Sequence, residues 1–297
     1  MYAIAGATGY VGGLLADELS GRGRDVRCLA RMPERAEERF GGRCQVVRAD
    51  VLEPETLGPA LGGVEIAYYL VHSMGRGSDG DFVERDRRGA ENFAGAARDA
   101  GVERIVYLGG LGEGKSEHLR SRHETAEGLK STGVPLTYFR AAIVVGSGSE
   151  SLVTIAYLVK RLPAMVTPSW TSTRTQPIAA PDVVAYLAAA PGVPESTGRE
   201  IQIGGPDVTT YGGMLDLAAD AAGVRRRPRV GVPVLSPSLS SRWIGLVTPV
   251  DTGVARPLVE GLTTETVVTD PSGMELFDVD PTPLETAMHE AVPAALK

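Results

Sequence analysis

Three glycines carry the first recognisable chemistry of this chain. Gly6, Gly9 and Gly12 stand three residues apart in Tyr2-Ala3-Ile4-Ala5-Gly6-Ala7-Thr8-Gly9-Tyr10-Val11-Gly12. They lie between a short apolar run and apolar positions that recur at helical spacing from Val11 onward. That pattern predicts a buried strand, a glycine turn and a helix. Such a turn aims backbone N–H groups at the space above the strand, where the helix dipole also favours negative charge, so a pyrophosphate fits there. Gly6 makes the turn, Gly9 lets the phosphate approach the backbone, and Gly12 lets the helix pack closely on the strand. Thr8, Tyr10 and Val11 complete the expected cradle.

The next residues able to do chemistry stand at the ends of the following apolar runs. Arg24 to Arg31 reads as a second strand, and the residue at its end faces the adenosine ribose in a dinucleotide fold. An acidic residue there would favour a free 2′-hydroxyl. Arg31 stands there instead, and a guanidinium pairs with a 2′-phosphate, which points to NADP(H), with Arg35 as a second contact. A third strand, Cys44 to Val51, ends in Asp50, placed to accept from the adenine amino group, and Val51, placed to pack on the ring. A fourth, Val64 to Met74, brings Leu70, Val71 and His72 to the cofactor and sets His72, Ser73 and Met74 near its nicotinamide end.

These residues need a scaffold, and the rest of the first half supplies one. Helical patterns over Pro54 to Leu61, Phe82 to Ala100 and His118 to Leu129 alternate with a fifth strand, Val102 to Leu108, and a sixth starting at Leu136. Six strands alternating with helices predict a Rossmann-type α/β fold, a doubly wound parallel sheet. In the second half, Ser149 to Leu162 reads as a helix. Trp170, Arg174 and Gln176 then suggest a pocket for a planar or anionic ligand. Further helices over Tyr211 to Ala222, Thr252 to Leu262 and Pro283 to Leu296 form a small, mainly helical C-terminal cap, with a late strand at Glu265 to Asp270. The apolar, Pro-interrupted stretch from Ser236 to Val250 lines the substrate pocket, a subunit contact of a homodimer, or both.

Composition narrows the function. The 297 residues carry a net charge of −7 with no basic stripe, which argues against a nucleic-acid partner. The four histidines show no metal-ligand spacing, so no metal is expected. The two cysteines, Cys28 and Cys44, fall on expected strands and read as buried free thiols in a reducing compartment. With no signal-peptide pattern and no apolar run of about 18 residues, no membrane partner is expected and the location is cytoplasmic.

Several of these motifs together resemble one family. Gly6-Ala-Thr-Gly-Tyr-Val-Gly12, Arg31, Ala49-Asp-Val51, Arg104-Ile-Val-Tyr-Leu108, Ala126-Glu-Gly-Leu129, Thr137-Tyr-Phe-Arg-Ala141, and Gln176-Pro-Ile178 leading to Asp182-Val183 are similar to the atypical, NmrA-like or NAD(P)H-binding branch of the short-chain dehydrogenase/reductases. The resemblance runs over roughly residues 1–205. It implies an NAD(P)-binding core over 1–150 and a substrate and cap region over 151–297 within one compact unit, with Arg140 and Ala141 on the nicotinamide side. The family normally reduces carbonyls with a Ser and a Tyr-x-x-x-Lys pair, and this sequence departs from that set. With Ala126-Glu127 as anchor, the tyrosine falls at Leu119 and the lysine at His123; shifted by one turn, they fall at His123 and Glu127. The serine falls in Gly109-Gly110. His123 is then the candidate proton donor, with Ser73 or His72 binding a ribose or substrate oxygen; alternatively a quinone or activated alkene takes its proton from solvent. Two functions follow: an NADP(H)-dependent oxidoreductase acting on a carbonyl, quinone or conjugated alkene of a small molecule, or a non-catalytic NADP(H) sensor that regulates a protein partner.

Overall fold

The computed structural model describes residues 1–72, 82–112, 116–232 and 262–297. Its side-chain description leaves out Val166, Pro168, Ser169, Trp170, Gly231 and Val232. Ser73, Met74 and the stretch from Ser236 to Val250 lie outside the described residues, as does nearly all of the helix expected over Thr252 to Leu262.

The first half alternates strand and helix: β1 (Tyr2–Ala5), α1 (Tyr10–Gly21), β2 (Val26–Ala30), α2 (Pro33–Phe40), β3 (Gln45–Arg48), α3 (Pro54–Leu61), β4 (Ile66–Tyr69), α4 (Phe82–Asp99), β5 (Arg104–Gly110), α5 (Glu117–Lys130) and β6 (Leu136–Ala141). Then follow β7 (Val144–Val145), α6 (Glu150–Arg161), β8 (Met165–Pro168), β9 (Arg174–Thr175), β10 (Ile178–Ala179), α7 (Ala180–Ala189), β11 (Glu200–Ile203), β12 (Thr209–Thr210), α8 (Tyr211–Ala221), β13 (Arg229–Val232) and α9 (Leu284–Ala295). Seven strands pair in the order β11-β6-β5-β4-β1-β2-β3, every neighbouring pair parallel. The chain order reverses between β1 and β4. Ligands of open parallel sheets bind at such a switch point, outside the carboxyl ends of the strands.

The strands are short and apolar because both faces of the sheet are covered. Alternate residues feed two cores. Ile4, Cys28, Tyr68, Val106 and Phe139 pack on one face with Leu15 and Leu19 of α1 and Val183 and Leu187 of α7. Ala5, Leu29, Tyr69, Tyr107 and Tyr138 pack on the other with α3, with Phe93 of α4, and with Ala126 and Leu129 of α5. The second half adds a third core, in which α6, α8 and α9 meet through Leu152, Met214, Leu215, Met288 and Val292. The edge strand β11 is covered by the 3₁₀ turn Pro271–Leu276, where Gly273 lies against Ile201. Both cysteines are free and buried; Cys28 lies on β2 and Cys44 just before β3.

One expected element is corrected. The stretch from Glu265 to Asp270 forms a single bridge, Thr175 with Thr266, rather than a strand. Its polar groups bond side chains instead: the Thr269 amide donates to Gln202 Oε1 at 2.8 Å and the Val268 amide to Gln176 Oε1 at 3.0 Å. Among the described residues no helix is long and apolar enough to cross a membrane.

Asp182, buried on α7, ties the C-terminal segment to the core. Its two carboxylate oxygens accept from the Thr282 amide at 2.8 Å and the Thr282 hydroxyl at 3.0 Å. Asp182→Ala orphans both donors and is expected to lower unfolding free energy by about 2 kcal/mol, measured by urea denaturation.

Candidate functional site

A cavity of about 700 Å³ opens over the carboxyl ends of the strands and runs from the turn after β1 to the wall formed by α6 and α8. Gly6, Thr8, Gly9, Tyr10, Val11 and Gly12 form its floor. Gly6 has a φ of +90°, and a Cβ there would lie 2.5 Å from the Leu70 carbonyl oxygen. A Cβ on Gly12 would drive into the Gly6 carbonyl. Gly9 precedes α1 in extended conformation, and no side chain caps that helix. The first-turn amides of α1 therefore face a hollow kept clear by glycine, the arrangement that receives a pyrophosphate. Tyr10 packs its ring against Gly146 and Gly148, which have no side chain to displace it, and so ties this turn to the start of α6.

One end of the cavity is built by the loops after β2 and β3 and braced by α4. Arg31, exposed directly after β2, lines the cavity, and its guanidinium has no hydrogen-bond or ion-pair partner among the described residues. Asp50 and Val51 line the same end. Asp50 Oδ1 accepts from the Leu52 amide at 2.9 Å, while Asn92 on α4 donates to the Val51 carbonyl at 2.9 Å, so this loop is fixed from two sides. Leu70, Val71 and His72 follow β4 along the cavity, and Ala141 closes the end of β6.

Other expected site residues lie elsewhere, each for a visible reason. Arg35 is exposed on α2 outside the cavity wall. Arg140 is a brace, bonding the carbonyls of Gly110 at 3.0 Å and Gly112 at 2.7 Å and pairing with Glu200 at 2.6 Å. Arg174 is exposed in an ion pair with Glu265. Gln176 holds the Gly205 carbonyl at 2.8 Å as well as the Val268 amide, which crosslinks loops and contributes nothing to the cavity wall. The backbone at Trp170 forms a 3₁₀ turn, Ser169–Ser172. His123, the expected proton donor, is exposed and does not line the cavity.

The residues of α5 that line the cavity are His118, Leu119 and Arg122. His123 stands one turn beyond Leu119, at the edge of that face, where its side chain is exposed. Sequence reasoning missed His118 and Arg122, although their i,i+4 spacing was the available signal. His118 is half-buried because its surface opens onto the cavity; burial there pushes its pKa down to about 3, helped by the charges of Arg122 and His72. It is neutral at physiological pH and can donate or accept a hydrogen bond. A serine at Gly109 would crowd the Tyr138 ring, whose edge a Cβ would meet at 2.7 Å, while at Gly110 a Cβ would meet only the tip of the Leu119 side chain, at 2.7 Å. The far wall is largely apolar, with Ile143, Ile155, Leu158 and Leu215, and Tyr211 and the polar Glu150, Ser151 and Thr154 of α6 stand beside these. Among the described residues no three His, Cys, Asp or Glu side chains are grouped to hold a metal ion.

The switch-point cavity and its glycine floor define a Rossmann-type dinucleotide-binding protein. Residues 6–141 match the family model described as NAD(P)H-binding, and this stretch is an NAD(P)H-binding domain that takes a nicotinamide cofactor. A 4-hydroxy-2-methyl-3-oxo-4-farnesyl-3,4-dihydroquinoline-1-oxide ketoreductase of Stigmatella aurantiaca is 29% identical over 106 residues, 35% of this chain and 32% of the relative. The match thus spans about a third of that protein's length. The mitochondrial NADH dehydrogenase [ubiquinone] 1 alpha subcomplex subunit 9 of Arabidopsis thaliana is 24% identical over 298 residues, 94% of this chain and 73% of the relative. Among solved structures, an NADPH-dependent quinone oxidoreductase of Escherichia coli complexed with NADPH superposes with a TM-score of 0.74 at 19% identity, covering 100% of both chains.

Proposed function

We propose that this protein is an NADP(H)-dependent oxidoreductase of the atypical short-chain type, which transfers hydride to a carbonyl, quinone or conjugated alkene of a small molecule. The observation that carries the reading is the continuity of one cavity from the dinucleotide cradle to an apolar wall contributed by α6 and α8. A cofactor lying on the glycine floor with its adenosine toward Arg31 would point its nicotinamide at that wall, where an apolar acceptor is desolvated and aligned. Hydride transfer demands chiefly that alignment. The quinone oxidoreductase and the ketoreductase among the similar proteins support the same class of reaction. On this reading the enzyme works in the cytoplasm, where its two buried thiols stay reduced.

The opposing reading is a sensor that binds NADP(H) without consuming it, favoured by Gly109 and Gly110, which leave no hydroxyl at the end of β5. NADPH oxidation followed at 340 nm with a panel of quinones, enones and aldehydes separates the two readings. Sustained turnover in large excess over enzyme is expected with at least one acceptor. Tight stoichiometric NADPH binding with no consumption would overturn the oxidoreductase reading.

A further inference from the structure

His118 and Arg122 sit one turn apart on the inner face of α5 and both border the cavity. Side chains at i and i+4 lie one above the other on a helix, so the two polar ends address the same volume. The helix that carries them is pinned from three directions. The Ser116 hydroxyl caps it, accepting from the Leu119 amide at 3.2 Å. The Ser121 hydroxyl donates to buried Asp86 of α4 at 2.9 Å. The Tyr107 hydroxyl, rising from β5, donates to the Arg122 carbonyl at 3.1 Å. Gly110 clears the strand end in front of them.

The charged groups around this pair come from four elements, among them the buried Asp86 carboxylate of α4, bonded to the residue before Arg122. Arg122 on α5 and His72 after β4 are the groups whose charge acts on His118. Glu150, in the first turn of α6, is the acidic residue on the α6 side of the cavity. Near the nicotinamide end the cavity therefore offers a neutral N–H donor and a cation, both carried by a pinned helix, on one side and a largely apolar wall on the other. Preorganised donors of this kind stabilise negative charge that develops on an oxygen.

We propose that His118 and Arg122 together receive the oxygen of the hydride acceptor, which makes the substrates uncharged carbonyl compounds with an apolar body, quinones above all, and not cationic acceptors. The inference rests on the oxidoreductase reading. The acceptor gains a hydride, two electrons and one hydrogen, from the reduced nicotinamide, which is left oxidised. A C–H bond forms at the carbonyl carbon or its conjugated position, and the C=O π pair moves onto oxygen. That oxygen accepts from the His118 N–H and the Arg122 guanidinium and takes its proton from water, so His118 keeps its own. Because burial holds His118 neutral, its own titration should not appear in turnover between about pH 5 and 8.

The test compares wild type, His118→Ala, His118→Gln and Arg122→Met for NADPH affinity by calorimetry, for turnover with a neutral naphthoquinone and with a cationic triphenylmethane dye, and for binding of 4-nitrophenolate as an oxyanion mimic. Expected are unchanged NADPH affinity, an approximately 30-fold lower kcat in His118→Ala and Arg122→Met, substantial recovery in His118→Gln through its amide donor, and weakened phenolate binding wherever turnover falls. The wild type should prefer the neutral quinone. Equal use of the cationic dye, or variants within twofold of wild type while NADPH still binds, would overturn this inference and leave the oxidoreductase reading standing. Absence of turnover with every acceptor overturns that reading and this one with it.

Discussion

Gly12→Val is expected to abolish dinucleotide binding, with NADPH affinity falling beyond a hundredfold by calorimetry. The cause is steric. A Cβ at position 12 is driven into the Gly6 carbonyl and toward the Ala7 Cα, and all of these neighbours are backbone atoms. A flexible side chain could swing aside; a turn whose Gly9 amide already bonds the Gly6 carbonyl at 2.9 Å cannot. Either α1 moves away from β1, carrying its first-turn amides out of reach of the phosphates, or the turn opens. Overpacking of this kind costs about 1–3 kcal/mol of stability, so the melting temperature should drop as well. Gly95→Ala supplies the comparison. A Cβ on Gly95 of α4 meets nothing within 4 Å, so this variant should bind NADPH as the wild type does and gain a few tenths of a kcal/mol. Wild-type affinity in Gly12→Val would remove the phosphates from the glycine turn.

What the sequence revealed and what it concealed divide along the range of the interactions. The strands, the glycine turn and the position of Arg31 follow from local pattern, because a strand buried on both faces must be apolar and a turn with φ of +90° selects glycine. The face of α5 does not follow from local pattern. Glu117-His118-Leu119-Arg120-Ser121-Arg122-His123-Glu124 is polar on nearly every side, so helical periodicity alone cannot say which side chains turn inward. Its rotation is set by the core packing of Ala126 and Leu129 in the following turns and by bonds to Asp86, 35 residues before Ser121, and to Tyr107, 15 before Arg122. Those contacts place His118 and Arg122 in the cavity and leave His123 in solvent. Gln176 and Arg140 are concealed for a related reason. Gln176 reads as a ligand contact from its place after Trp170 and Arg174, and Arg140 from the family resemblance, whereas the structure bonds both to carbonyl and amide groups far away in sequence, which would otherwise lack partners.

Arg31→Ala should weaken NADPH binding about a hundredfold and change NADH binding less than twofold. A guanidinium paired with a 2′-phosphate makes charge-assisted hydrogen bonds worth about 1.5–3 kcal/mol, and a factor near a hundred lies within that range. The structure leaves this side chain available: it stands at the cavity rim, exposed, and no side chain among the described residues holds it, in contrast to Arg27, Arg43 and Arg48. Arg27 bonds Gln45, Arg43 pairs with Asp17 and Arg48 pairs with Glu53, so none of the three can turn to a phosphate without breaking a bond already made. Arg35→Ala, also exposed but outside the cavity wall, should leave both affinities within twofold. Because the pair forms at the surface it is screened, and the preference of the wild type for NADPH over NADH should shrink as salt rises from about 0.05 to 0.5 M, while Arg31→Ala shows no such dependence. A preference for NADPH that survives Arg31→Ala at every salt concentration would assign the phosphate to another group. Equal affinity of the wild type for both nucleotides would instead mean that Arg31 is a solvated side chain at the mouth of a cavity that does not discriminate.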